Sequence, residues 1–122
     1  MKKVCLGLLF LTLSVAAIAH SDTDKAAVTN ALMPSVQKAC AFPVKITPRI
    51  FNLKSGWCFT VCRITAVNPK NQGDGEAMGL LHKVGAKWKV VEWTVGSDIQ
   101  EDATKWATMK GVPKGLVPKS IY

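Results

Sequence analysis

Cysteine and histidine side chains could carry nucleophilic, redox or metal chemistry in this sequence, and they are few. The chain has four cysteines and two histidines, and Cys5 lies in an N-terminal segment that we expect to be removed. A cysteine–histidine nucleophile pair would need Cys58 or Cys62 beside His82, and nothing in their spacing brings them together. His20 lies at the expected cleavage point, so His82 is the one histidine expected within the fold. With three cysteines it is a poor zinc set in an oxidising compartment. We therefore predict no catalytic residue, no metal site and no cofactor.

Acidic residues cluster in two places, and neither cluster predicts catalysis. Asp98, Glu101 and Asp102 lie where the first turn of a helix favours negative charge. Asp74 and Glu76 flank a glycine in a loop, without the oxygen-ligand spacing of a calcium loop. No G-x-S-x-G, P-loop or dinucleotide-binding motif occurs in the sequence.

Three cysteines remain in the exported chain, and an odd number predicts one disulfide bond with one free thiol. Cys58 and Cys62 are four residues apart on one strand, which separates their Cα atoms by roughly 13 Å, beyond the roughly 4.4–6.8 Å that a disulfide spans. Cys40 is then the common partner. Antiparallel pairing of the first two strands brings Cys40 nearer to Cys62, so we predict a Cys40–Cys62 bond. A Cys40–Cys58 bond and the absence of any bond are the alternatives.

The first nineteen residues have the pattern of a secretory signal peptide. Lys2 and Lys3 precede an apolar run from Val4 to Ala19 that ends in small residues. This run is shorter than the roughly 20 residues of a spanning helix, so we expect cleavage before His20 rather than anchoring. Residues 20–122 then form a single exported domain, periplasmic or secreted, with no transmembrane segment.

The exported protein should begin at His20, or within about two residues of it, because the apolar run ends in Ala17-Ile18-Ala19. The intact mass of the exported protein tests this prediction. A membrane-anchored product that keeps Met1 to Ala19 would contradict the predicted localisation.

Basic residues dominate the exported chain. Without Lys2 and Lys3, fourteen basic residues stand against eight acidic ones, a net charge of +6. No acid lies between Asp24 and Asp74 or after Asp102. Such charge either keeps a small protein soluble or meets an anionic partner: an acidic protein, an envelope polymer or a lipid. Nucleic acid is not expected, because no recognisable reading motif is present and export removes the chain from cytoplasmic DNA.

The order of apolar patterns predicts an α+β fold. Apolar residues at three- and four-residue spacing predict a helix over Thr23–Cys40, kinked or restarted at Pro34. Extended segments follow and predict a four-stranded antiparallel meander. These segments are an interrupted strand or an edge strand from Val44 to Leu53, a central strand over Trp57–Val67, and a hairpin of Glu76–Val84 and Lys87–Val95.

The hairpin loop Gly85-Ala86 predicts a type II′ turn, because the first of its two positions needs positive φ. In the resulting register Leu81 faces Val90, Leu80 faces Val91, and Met78 faces Trp93.

A short C-terminal helix and an irregular tail complete the predicted fold. Ser97 and Gln100 have capping-box spacing, so we expect the helix to begin there and to run to about Met109, with Gly111 past its end. The tail to Tyr122 contains two prolines and predicts coil. We expect the N-terminal helix to pack on the sheet, and the second helix with the tail to close one edge.

The segment Ala77–Gly96, AMGLLHKVGAKWKVVEWTVG, resembles a recurrent ending of small exported bacterial proteins, in which an apolar strand turns at a glycine and returns as W-x-V-V. Gly111–Pro113 and the leading helix are similar too. Many such proteins resemble the cystatin-like or nuclear-transport-factor-like group, in which a helix packs across a curved antiparallel sheet. The resemblance covers roughly 60 residues and implies binding at the concave sheet face, but no family active site is matched.

Together these features predict a non-enzymatic binding protein of the inhibitor or immunity type, with a basic and aromatic surface for an acidic partner. The candidate binding residues lie on the first two strands and are Lys45, Arg49, Lys54, Trp57 and Arg63. We expect docking to centre on Arg49, Lys54 and Trp57. The alternatives are an envelope-associated protein that binds an anionic polymer or lipid, and a small pocket enzyme that uses Glu92 or His82.

Overall fold

The structure, a computed structural model, describes residues 22–71 and 75–122. Within these residues the N-terminal helix α1 is continuous over residues 22–38. Val28, Leu32 and Val36 follow at four-residue spacing and are fully buried on one face of α1. The predicted restart at Pro34 does not occur. Pro34 cannot donate to the carbonyl of Asn30, but both residues lie on the exposed side of α1, where this carbonyl is accessible to solvent.

Four antiparallel strands in sequence order form one sheet, which confirms the predicted meander. They are β1 Val44–Lys54, β2 Trp57–Ala66, β3 Glu76–Val84 and β4 Lys87–Gly96. As predicted, β2 is a central strand and β1 an edge strand. The pairing of β1 with β2 shifts between Pro48 and Ile50, which makes Arg49 the extra residue of a bulge.

Both hairpin turns follow from glycine at positions of positive φ. Ser55 and Gly56 have φ of 51° and 78°, which is the pattern of a type I′ turn between β1 and β2. Gly85 has a φ of 63°, whereas the φ of Ala86 is not positive, which agrees with the predicted type II′ turn.

The register of β3 and β4 matches the prediction only near their turn. Leu81 pairs with Val90, but Leu80 pairs with Glu92, so Val91 is an extra residue in a bulge. The bulge also places Met78 opposite Thr94 rather than Trp93. The two predicted pairs Leu80–Val91 and Met78–Trp93 are therefore wrong, because a one-residue insertion moves every later pair.

The sheet is covered on both faces. On the helix face, α1 packs against Cys62, Ala77 and Leu81. It approaches so closely at Gly79 that a Cβ there would lie 2.9 Å from Leu32 Cδ1. The opposite face, here the tail face, carries buried residues of β2 and β3: Phe59, Val61, Met78 and Leu80.

Helix α2, Gln100–Ala107, and the irregular tail pack on the tail face. Their buried side chains include Trp106, Leu116 and Ile121. This corrects the expectation that they close only one edge. The predicted capping box is also wrong, because α2 has no side-chain cap. Instead, the side chain of Gln100 accepts a bond from the Ile121 N–H (2.9 Å) and donates to the Lys119 carbonyl (3.2 Å).

None of the described helices is both long and apolar enough to cross a membrane. The predicted signal peptide, residues 1–19, lies outside the described residues.

Candidate functional site

Arg49 and Lys54, two of the predicted binding residues, hold the tail on the sheet. A guanidinium nitrogen of Arg49 donates to the carbonyl of Ile121 (2.7 Å), and Lys54 Nζ donates to that of Lys114 (2.6 Å). Asn52 lies between them and makes a similar bond to the tail. These bonds satisfy carbonyls of a segment that has no regular backbone pairing of its own. Both cations therefore stabilise the position of the tail on the sheet.

Trp57 is also part of the packing. Its ring stacks on that of His82, with ring centroids 4.2 Å apart and an interplanar angle of 14°. The half-buried indole contacts the tail-face core. Lys54 lies opposite Trp57 in the register, but Arg49 is five residues away along β1, roughly 15 Å. The structure does not bring the predicted trio of Arg49, Lys54 and Trp57 together.

The residues of the pocket-enzyme alternative are also apart. His82 points to the tail face with Trp57, whereas Cys58 and Cys62 are buried on the helix face. A cysteine–histidine pair is thus separated by the sheet itself. Glu92 is exposed on the edge strand β4.

Arg49 binds both carboxylate oxygens of Glu76. Its Nε lies 2.6 Å from Oε2, and Nη2 lies 3.0 Å from Oε1. This hydrogen-bonded pair raises the pKa of Arg49. The guanidinium also lies 5.9 Å from the ring centre of Tyr122. Arg49 thus joins β3 and the tail, and each oxygen of the Glu76 carboxylate accepts one hydrogen bond from it.

Arg63 is left without a counter-charge by this pair. Its cross-strand neighbours are Thr47 on β1 and Glu76 on β3. Opposite charges in such positions normally attract each other. Glu76 instead turns to Arg49, and the exposed side chain of Arg63 makes no hydrogen bond or ion pair with any described residue.

Two open clefts meet at Arg63. The larger, about 650 Å³, lies between the end of β2 and the tail, and Ser97 and Tyr122 form part of its wall. The smaller, about 420 Å³, lies over β1 at Thr47 and Pro48. Arg49 and Arg63 line both. A group bound at Arg63 can therefore be reached from either side.

Four exposed side chains on the tail face form what we call the donor patch: Lys45, Thr47, Arg63 and Thr65. They are two adjacent cross-strand pairs, Lys45–Thr65 and Thr47–Arg63. Directly opposed residues of an antiparallel pair have Cβ atoms about 4.5–5.5 Å apart, so two cations and two hydroxyls share one small area. The donor patch can bind an anion.

Lys45 and Arg63 were predicted from the acid-free stretch, whereas the two threonines were not. The alternation of side chains along a strand could have predicted them, because it places Thr47 on the same face as Lys45 and Thr65 on the same face as Arg63. Ser97 and Tyr122 carried no comparable signal, because only the path of the tail brings them to the cleft.

Metal ligands are not grouped in the part of the chain that the structure describes. Over residues 22–71 and 75–122, no three His, Cys, Asp or Glu side chains lie where they could hold one ion. Asp74, one of the two loop acids considered above, lies outside these ranges.

The cysteines differ from the prediction. Cys40, Cys58 and Cys62 are all free thiols in the structure, so the expected Cys40–Cys62 bond is absent there. Cys40 is half-buried, and the other two are fully buried under α1. Burial raises the pKa of Cys58 to about 12 and also raises that of Cys62. Both core thiols therefore remain protonated and unreactive at neutral pH.

Thiol titration of the native protein should show one reactive group, Cys40, because only the thiolate reacts and the two core thiols are neutral and covered. Cys58 and Cys62 should react after unfolding in urea. Cys40→Ser is the control and should remove the native reaction. A single reactive thiol in the unfolded protein would instead demonstrate a disulfide bond and contradict this expectation.

No protein family, curated protein or solved structure was found to match the chain. The resemblance to the cystatin-like or nuclear-transport-factor-like group therefore stays a prediction.

Proposed function

We propose that the chain is a non-enzymatic binding protein, of the inhibitor or immunity type, that receives an acidic group of a partner protein at the donor patch. The observation that carries this proposal is the exposed guanidinium of Arg63, which stands between two clefts without a counter-charge among the described residues. Arginine is the side chain best suited to bind a carboxylate through two parallel hydrogen bonds.

The charges around Arg63 support an anionic ligand. Glu76, the acid across from it on β3, is neutralised by Arg49 at 2.6 Å. Lys45 adds a second exposed cation on the same face. A group of positive charge beside a cleft raises the local concentration of anions and speeds their association.

The proposed docking site thus lies at the Arg63 end of the tail face rather than at Trp57. Arg49 and Lys54 are bonded to the tail, so they are not free to act as surface anchors. Charge reversal at these two positions would disturb the fold as well as binding. Arg63 and Lys45 are the members of the predicted set on which binding can be tested separately from folding.

An anionic polymer or lipid fits the surface less well. Such partners need a broad field of cations, because each neutralised anion adds only a small free energy. The donor patch offers two cations, and two other cations of these strands, Arg49 and Lys54, are engaged within the protein. Two cations at fixed positions on adjacent strands favour a single acidic group on a protein over an extended anionic surface.

Fluorescence anisotropy with three probes tests this proposal. The probes are a labelled oligoglutamate peptide, its oligoglutamine analogue, and vesicles containing phosphatidylglycerol. The oligoglutamate should bind, and its affinity should fall as salt approaches about 0.15 M, where exposed charges are screened beyond roughly 8 Å. Equal binding of the oligoglutamine would contradict an anion site. Stronger binding to the vesicles would favour the lipid alternative.

A further inference from the structure

Lys45 and Arg63 are diagonal neighbours on the β1–β2 pair. Lys45 lies opposite Thr65, and Thr47 lies opposite Arg63. Diagonal positions of an antiparallel pair are roughly 7–8 Å apart. The two threonines are short, so no bulky side chain of these pairs separates the cations. The donor patch therefore offers two anion positions at a fixed spacing, with a hydroxyl beside each.

The outer side of β1 next to these cations is open at Ile46 but not at Val44. The Val44 N–H donates to Oε1 of Gln37 (3.1 Å), whereas no side chain of the described residues bonds to the backbone of residues 45–48. β1 is an edge strand, and no backbone hydrogen bond joins it to the tail in the described chain. Its first part, from Val44 to Thr47, keeps a regular register with β2. Pro48, which has no N–H, and the bulge at Arg49 end this regular part. A short extended segment can lie along it, as in other cases of strand addition.

Charge and spacing together indicate the occupant of this edge. We infer that the acidic partner contributes an extended segment with acidic residues at alternate positions, which lies along β1 and places its carboxylates at Lys45 and Arg63. This inference rests on the proposed function.

Alternate side chains of a strand point to the same face and are roughly 6.6–6.8 Å apart, which matches the diagonal of the donor patch. Consecutive acidic residues point to opposite faces, so only one of them can reach the patch. Thr47 lies between the edge of β1 and Arg63, and its small side chain lets the long arginine extend over it.

Two isomeric capped peptides test the inference with the full chain. One is Thr-Glu-Thr-Glu-Thr-Thr and the other is Thr-Thr-Glu-Glu-Thr-Thr, so length, composition and charge are identical. We expect the alternating isomer to bind roughly tenfold more tightly, because it makes one more charge-assisted contact. N-methylation of its central amides should weaken binding, because strand addition needs backbone hydrogen bonds.

Lys45→Met is the matched variant, since it removes the charge and keeps the length of an exposed side chain. The preference for the alternating isomer should disappear in it. If the parent binds both isomers equally and Arg63→Glu abolishes both, the extended register is wrong and the proposed function stands. If neither peptide binds the parent, both proposals are overturned.

Discussion

Replacing Leu116 by alanine should destabilise the protein by about 2–5 kcal/mol, the usual cost of a buried Leu→Ala change. Leu116 is 1% exposed and lies in the tail, where it packs in the same cluster as Phe59 and Val61. Truncation removes apolar contacts and leaves a cavity under a segment held mainly by side-chain bonds. For a domain of this size, that cost is a large share of the total stability.

Leu53→Ala is the matched control, since it makes the same chemical change at a residue of β1 that is 39% exposed. It should cost less than about 1 kcal/mol. Urea unfolding of both variants and the parent measures the difference. A Leu116→Ala variant as stable as the control would show that the tail does not belong to the core.

Replacing Arg63 by glutamate should weaken binding of the oligoglutamate peptide by roughly tenfold or more at low salt. The change removes a guanidinium that has no partner among residues 22–71 and 75–122, and adds a carboxylate beside the two clefts. The exposed Arg63 side chain makes no hydrogen bond or ion pair with any described residue, but the new carboxylate lies opposite Glu76. Stability should therefore fall by no more than about 1 kcal/mol.

Lys38→Glu serves as the control for net charge, because Lys38 is exposed on α1, which covers the other face of the sheet. It changes the total charge by the same amount and should affect peptide binding only weakly. Equal weakening by both reversals would mean that the peptide responds to the overall positive charge and not to the donor patch.

The strands could be predicted because alternation, turn glycines and β-branched residues agree in this part of the sequence. The tail could not be placed, because its buried residues follow no period: Leu116 and Val117 are adjacent after Gly115, and a proline and two polar residues separate them from Ile121. Their burial depends on long-range bonds, such as those of Gln100 to the tail. Local patterns carry no information about such contacts.

The sequence predicted only part of the candidate site, because the local charge pattern does not show which cations form long-range pairs. The acid-free stretch identified Lys45 and Arg63, which are indeed exposed on one face. It also selected Arg49, which pairs with Glu76, 27 residues away. The bulge after Pro48 directs Arg49 toward this acid, and the strand pattern alone did not reveal the bulge. One unrecognised backbone irregularity thus accounts for the pairing of Glu76 with Arg49 rather than with Arg63.

The side-chain Nε–H signals of the two arginines test the central claim most directly. Titration of ¹⁵N-labelled protein with the oligoglutamate peptide should shift the Nε–H resonance of Arg63. The resonance of Arg49 should stay nearly constant, because its Nε already donates to Glu76 at 2.6 Å. A shift of Arg49 with no change at Arg63 would contradict the proposal that Arg63 is the free cation to which an acidic partner binds.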